Sequence, residues 1–220
     1  MERHFDEELA VLKNELISMG RAAENSIHDV IDALASRDIK KAQAVIDNDE
    51  VVDQLELVID DKCLSLLSLF QPQASDLRFI TNATKISADL ERIADLSTNM
   101  AQRVLELAPY PLIKPLDDIP ELGRVAQSMV KNAIESIVNR DVEMARKVIQ
   151  SDREADTLRD RVQKELIENY LMKDGSTTPR VLPLLFIARH LERICDHAVN
   201  IAEDVIHMVS ARVVKHSPDK

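Results

Sequence analysis

Residues 20–53 of this 220-residue chain align without a gap on residues 123–156. Identities fall at Gly20/Gly123, Arg21/Arg124, Arg37/Arg140, Asp38/Asp141, Val45/Val148, Asp49/Asp152 and Asp53/Asp156. The offset shortens slightly after a second loop, and the match then resumes through Leu90/Leu191, Asn99/Asn200, Ala101/Ala202 and Val104/Val205. Length alone leaves one core or two small ones open. The repeat decides for two copies of one supersecondary unit.

The pattern inside each copy is helical. From Phe5 the apolar residues run Leu9, Leu12, Leu16, Met19, Ala23, Ile27, Val30 and Leu34, in steps of three and four, the seam of a bundle helix. This predicts a first helix over 4–35. Ser36-Arg37-Asp38 offers a cap, and the pattern continues through Ala42, Val45, Ile46, Val52, Leu55, Ile59 and Leu66 until Pro72, a second helix. Ser75 and Asp76 offer a cap for a third, with Phe79, Ile86, Leu90, Ile93, Met100 and Val104 on its apolar face and an end near Pro109. Three prolines then oppose helix continuation, so 109–118 reads as a semi-extended linker. Three Gly and no Trp, in a chain rich in Ala, Leu, Glu and Lys, suit long helices better than a sheet. The expected fold is all-α: two tandem three-helix bundles at 1–108 and 119–212, with a polar tail at 213–220.

A net charge of -11 opposes nucleic-acid binding, which needs a basic face. Cys63 and Cys195 occupy non-equivalent positions with neither disulfide nor zinc-site spacing, which fits a reducing compartment. The start, Met1 to Glu8, lacks the basic and apolar segments of a signal peptide, and the longest apolar run, Val181 to Ala188, is too short to cross a bilayer. A cytoplasmic protein is expected, one that reaches a membrane only through a partner.

Function is sought first in repeated acidic motifs. Asp49/Asp53 recur as Asp152/Asp156, and Glu91/Asp95 as Glu192/Asp196. Residues four apart share a helix face, where two carboxylates can hold one hard cation. In each unit the two motifs stand at similar distances on either side of the second loop, so antiparallel helices bring them level. On the second helix Asp49, Asp53, Glu56 and Asp60 interrupt a stripe shared with Ala42, Ile46, Leu64 and Leu67, whereas Glu56 and Asp60 become Arg159 and Gln163 in the second unit. One such motif alone is ordinarily a solvated, ion-paired face. Four in levelled pairs favour two metal groups, Asp49, Asp53, Glu91, Asp95 and Asp152, Asp156, Glu192, Asp196, with Asn99 and Asn200 orienting a ligand beside them. Oxygen donors suit Mg, Mn or Ca and tolerate Fe or Zn. No histidine stands three residues after a glutamate, as a ferritin-like di-iron site requires, and no nucleophile has an activating neighbour pattern. A carboxylate-bridged di-metal redox enzyme is the alternative to a non-enzymatic role.

The Leu-Glu-Arg-Ile-x-Asp segments at Leu90–Asp95 and Leu191–Asp196, the two DxxxD pairs and Ser75-Asp76-Leu77-Arg78 resemble the PhoU family of bacterial phosphate-signalling accessory proteins. The resemblance covers nearly the whole chain. It departs at Ala94 and Cys195, where the family usually has Gly before the aspartate. It implies a non-enzymatic adaptor and negative regulator of the phosphate-starvation response, a homodimer, linking the high-affinity phosphate ABC transporter, through its ATPase, to a sensor histidine kinase. It also implies metal clusters on the acidic motifs of some relatives.

Overall fold

The computed structural model describes residues 2–212, with side chains from His4 onward; the 213–220 tail lies outside the described residues. Seven α-helices carry the fold: α1 Glu2–Ser36, α2 Ile39–Asp47, α3 Asp49–Phe70, α4 Ala74–Leu107, α5 Asp118–Asn139, α6 Val142–Leu166 and α7 Thr178–Ser210. A π-helical turn, Ile167–Leu171, and a 3-10 turn, Gly175–Thr177, join α6 to α7. No strand occurs among the described residues.

The repeated Arg-Asp pair ends one helix and starts the next. Arg37 and Arg140 adopt left-handed backbone conformations, φ 58° and 52°. The following N–H groups, of Asp38 and Asp141, then reach back to the carbonyls of Ala33 and Ser136, both at 3.0 Å. The Asp38 carboxylate accepts from the Lys40 and Lys41 N–H groups, and that of Asp141 from Met144. Arg37 also donates to the carbonyls of Ala108 and Tyr110, which ties the linker to the end of α1.

Two local expectations are corrected. The expected second helix is broken at Asn48 into α2 and α3, whereas its counterpart α6 runs unbroken. The Ala42/Ile46 stripe therefore does not continue in phase into Leu64, which is largely exposed. Ser75 and Asp76 do not cap α4: the helix begins at Ala74 behind Gln73, whose side chain makes no capping bond, and the Ser75 hydroxyl donates to Asp76. Asp76 lies inside the first turn, where its charge complements the helix dipole.

Each half is a helical bundle on the same three-part plan, with α2 and α3 together in the place of α6, and the halves pack through equivalent surfaces. A methyl group added to Gly20 would lie 2.5 Å from Ile134 Cδ1, and one added to Gly123 would lie 2.7 Å from Ile31 Cγ1. Ile31 and Ile134 are themselves equivalent in the repeat. The α1–α5 crossing is therefore a pseudo-two-fold contact of the isologous type, and glycine at its two sites permits the close approach. The α4–α7 crossing repeats the relation: Lys85 Nζ stands 3.9 Å from Asp204 Oδ1, while the equivalent pair, Phe186 and Arg103, makes a cation–π contact at 5.9 Å. One continuous apolar core runs through both halves. It contains the predicted α1 residues from Leu12 to Leu34 and the whole predicted α4 face.

Candidate functional site

The acidic motifs meet where α3 runs beside α4, and again where α6 runs beside α7. In the first half Asp49 and Thr98 of α4 line the same cavity. Burial holds the Asp49 carboxyl above its usual range, opposed by the nearby Thr98 hydroxyl and reinforced by the charges of Asp53 and Asp95. Glu91 is raised by burial first and then by Asp95, with Glu56 and Asp53 adding to it. Glu56 is raised by burial, Asp60 and Asp53. These side chains thus form one partly desolvated group in which each negative charge destabilises the others. The nearby guanidinium is Arg92, on the exposed rim, 3.0 Å from Asp95 and 3.4 Å from Glu91.

The second half brings Asp152, Asp156, Glu192 and Asp196 together in the same way, with one difference. Arg159, at the position of Glu56, reaches both Asp156 and Glu192 at 3.0 Å and Asp160 at 2.8 Å. A guanidinium therefore sits between the two motifs as an internal counter-ion. Glu192 and Asp196 are still raised, chiefly by burial and then by Asp196 and Asp156 respectively. Cys195 lies fully buried beneath the group, and burial, followed by Asp152, pushes its thiol far above the usual range. Ala94 is the corresponding buried residue in the first half.

The level placement expected from the sequence is thus what the helices produce. Asn99 and Asn200 do not join the groups. Asn99 is exposed, and Asn200 turns toward the α4–α7 crossing, donating to Asp89 at 3.4 Å, beside His197, whose Nδ1 is 2.7 Å from the same oxygen. Among the described residues, no three His, Cys, Asp or Glu side chains converge at metal-coordinating geometry. In donor chemistry the first group fits a hard cation: it consists of mutually repelling carboxylates with their base at the rim. The second group fits one less well, because Arg159 already neutralises two of its members.

Residues of α1 approach one member of the first group, Asp49. A cavity of about 270 Å³ beside Asp49 is lined by Asn25, Ser26 and Asp29 from α1, Asn48, and Ala94 and Thr98 from α4. The sequence reading missed α1 here. The signal was a polar face on a helix whose opposite side is the apolar seam, and that pattern alone does not distinguish a site wall from solvent.

The family model for the PhoU domain matches twice, over residues 16–104 and 119–205, the two halves that the pseudo-two-fold relates. The chain belongs to the PhoU family. A PhoU homolog of Aquifex aeolicus, named a phosphate-specific transport system accessory protein, is 36% identical over 95% of this chain and 94% of its own length. One from Caulobacter vibrioides, named likewise, is 39% identical over 93% of this chain and 89% of its own. The crystal structure of PhoU from Pseudomonas aeruginosa superimposes with a TM-score of 0.91 at 35% identity, covering 94% of this chain and 100% of that one. PhoU from Streptococcus pneumoniae, described as a phosphate transport system regulatory protein, gives 0.88 at 30% identity, over 96% of this chain and 99% of that one. The family is a non-enzymatic one of phosphate-transport accessory proteins, and the di-metal redox enzyme has no support. No helix among the described residues is long and apolar enough to cross a membrane.

Proposed function

We propose that this protein is a cytoplasmic adaptor that represses the phosphate-starvation response by docking to the phosphate ABC transporter ATPase and to a sensor histidine kinase. Family membership over both halves carries this reading. The fold suits it, because two bundles of one backbone plan carry differing outer faces around one continuous apolar core. Deleting the gene should leave phosphate-responsive genes on when phosphate is plentiful, and crosslinking should recover the ATPase or the kinase from membranes. Normal repression in the deletion strain, with neither partner recovered, rejects the adaptor. The reading includes self-association into a homodimer, which sedimentation velocity measures.

The same proposal gives the acidic faces a cation. Asp49, Asp53, Glu91 and Asp95 would hold it in the first half, and Asp152, Asp156, Glu192 and Asp196 in the second only by displacing Arg159. A bound cation would relieve the repulsion that burial enforces among these carboxylates. Replacing Asp53 and Asp95 by Asn should lower metal content with little loss of helicity. Unchanged content by elemental analysis returns the motifs to surface charge.

A further inference from the structure

We propose that the groove between the start of α1 and the outer side of α3 receives an amphipathic helix of a partner protein whose apolar stripe is flanked by lysine or arginine. This rests on the docking role proposed above and names the surface that performs it. The groove encloses about 500 Å³, and its lining includes Leu57, Val58, Leu69, Phe70, Glu8 and Asp61. Three of these are large apolar side chains left substantially in water: Leu57 at 61%, Val58 at 45% and Leu69 at 73% exposure. Leu64 and Val51 add further exposed apolar surface on the same helix.

The internal repeat provides a control for this surface. Position for position, Val51, Leu57 and Val58 of α3 correspond to Glu154, Asp160 and Arg161 of α6. In the second half Arg161 closes the helix edge by pairing with Asp118 of α5 at 2.8 Å, and the linker's Lys114 pairs with Glu165 of α6. At these three positions the two faces, built on one backbone plan, differ: α6 carries charged side chains, with Asp160 paired to Arg159 and Arg161 to Asp118, where α3 carries exposed apolar ones. Solubility alone favours the former, so the exposed side chains of α3 indicate a surface that is covered in use.

Charge selects the occupant. Along α3 the exposed charged residues are the acids Glu50, Asp53 and Asp61, and its one lysine, Lys62, is drawn inward by Glu8 at 3.3 Å and Glu15 at 3.9 Å. A second copy crossing antiparallel about Leu57 would set Asp53 against Asp61, like charge on like, in a chain already carrying -11. A helix bearing apolar residues at i, i+3, i+4 and i+7 with basic neighbours meets both the groove and its rim.

The test is a fluorescence-anisotropy titration of the full chain with a synthetic Leu/Lys amphipathic helix, compared with the same helix carrying Glu in place of Lys. The double variant Leu57→Asp with Val58→Arg transplants the α6 surface onto α3 without changing net charge, and circular dichroism confirms its helicity. The Leu/Lys helix should bind the natural protein and lose at least tenfold in affinity against the double variant, and the Leu/Glu helix should bind neither. Equal binding to both proteins overturns the proposal, as does equal binding of the two helices. A dimer in sedimentation velocity that the double variant converts to monomer also overturns it, assigning the groove to a second copy. No transporter or kinase is present in the titration, so its failure rejects the groove, whereas failure of the deletion and crosslinking experiments rejects the docking role.

Discussion

Gly20→Ala tests the pseudo-two-fold crossing directly. In an exposed helix the substitution stabilises by about 1 kcal/mol, because alanine is the better helix former. Here the new methyl meets Ile134 Cδ1 at 2.5 Å and Cγ1 at 2.7 Å, so the isoleucine must move within a close-packed crossing. Overpacking of this kind costs about 1–3 kcal/mol, leaving a net destabilisation of about 1 kcal/mol. Ile134→Ala alone removes a buried side chain and costs about 3 kcal/mol. In the double variant the clash disappears and the helix gain remains, so it should be about 1 kcal/mol more stable than Ile134→Ala. The resulting coupling is about 2 kcal/mol. Urea unfolding of the four proteins measures it, and Gly123→Ala with Ile31→Ala should reproduce it. Additivity within about 0.5 kcal/mol, or stabilisation by Gly20→Ala whatever occupies position 134, would refute the close approach of α1 and α5.

Three further outcomes are expected. Asp38→Ala and Asp141→Ala each remove a helix cap and should destabilise by about 1 kcal/mol in thermal or urea unfolding. Burial, with help from Arg193, Arg103 and Arg189, holds His190 below its usual value. The unfolded chain then binds the proton more readily, so the contribution of His190 to stability is complete above about pH 6.5 and declines as pH falls through the folded value. His190→Gln should flatten that part of the stability–pH profile. Arg159→Glu recreates the first acidic group in the second half, and isothermal titration with a divalent cation should show tighter binding there; unchanged affinity would mean that Arg159 is not the obstacle.

Much of this fold was legible because helical periodicity depends on burial along one face, and α1, α4 and α5 keep that face without interruption. The repeated Arg-Asp pair was legible as a cap, because its chemistry is local. The break at Asn48 was not: the apolar residues on its two sides keep a spacing compatible with one helix, and the contacts of α2 with α1 and α4 are long-range ones that spacing does not show. The acidic groups were found from spacing alone, since i, i+4 placement and a loop midpoint fix their height. Arg159 was visible as the counterpart of Glu56, but its reach to Glu192 depends on a side-chain direction across two helices. Asn200 was misjudged for the same reason: helical spacing placed it near the motif, while the crossing with α4 turned it toward Asp89.

The pseudo-two-fold also bears on how the two halves can change. In an assembly of identical subunits every substitution appears on both sides of the axis at once, and a residue that suits one face must be tolerated on the other. With both halves in one polypeptide, that obligation is lifted. Lys85 and Asp204 make their contact with a salt bridge, and the equivalent Phe186 and Arg103 do so with a ring beneath a cation. One location has thus been solved twice by different chemistry without loss of the shared frame. Dilution cannot separate the halves, and a substitution that specialises one face leaves the other at its former task.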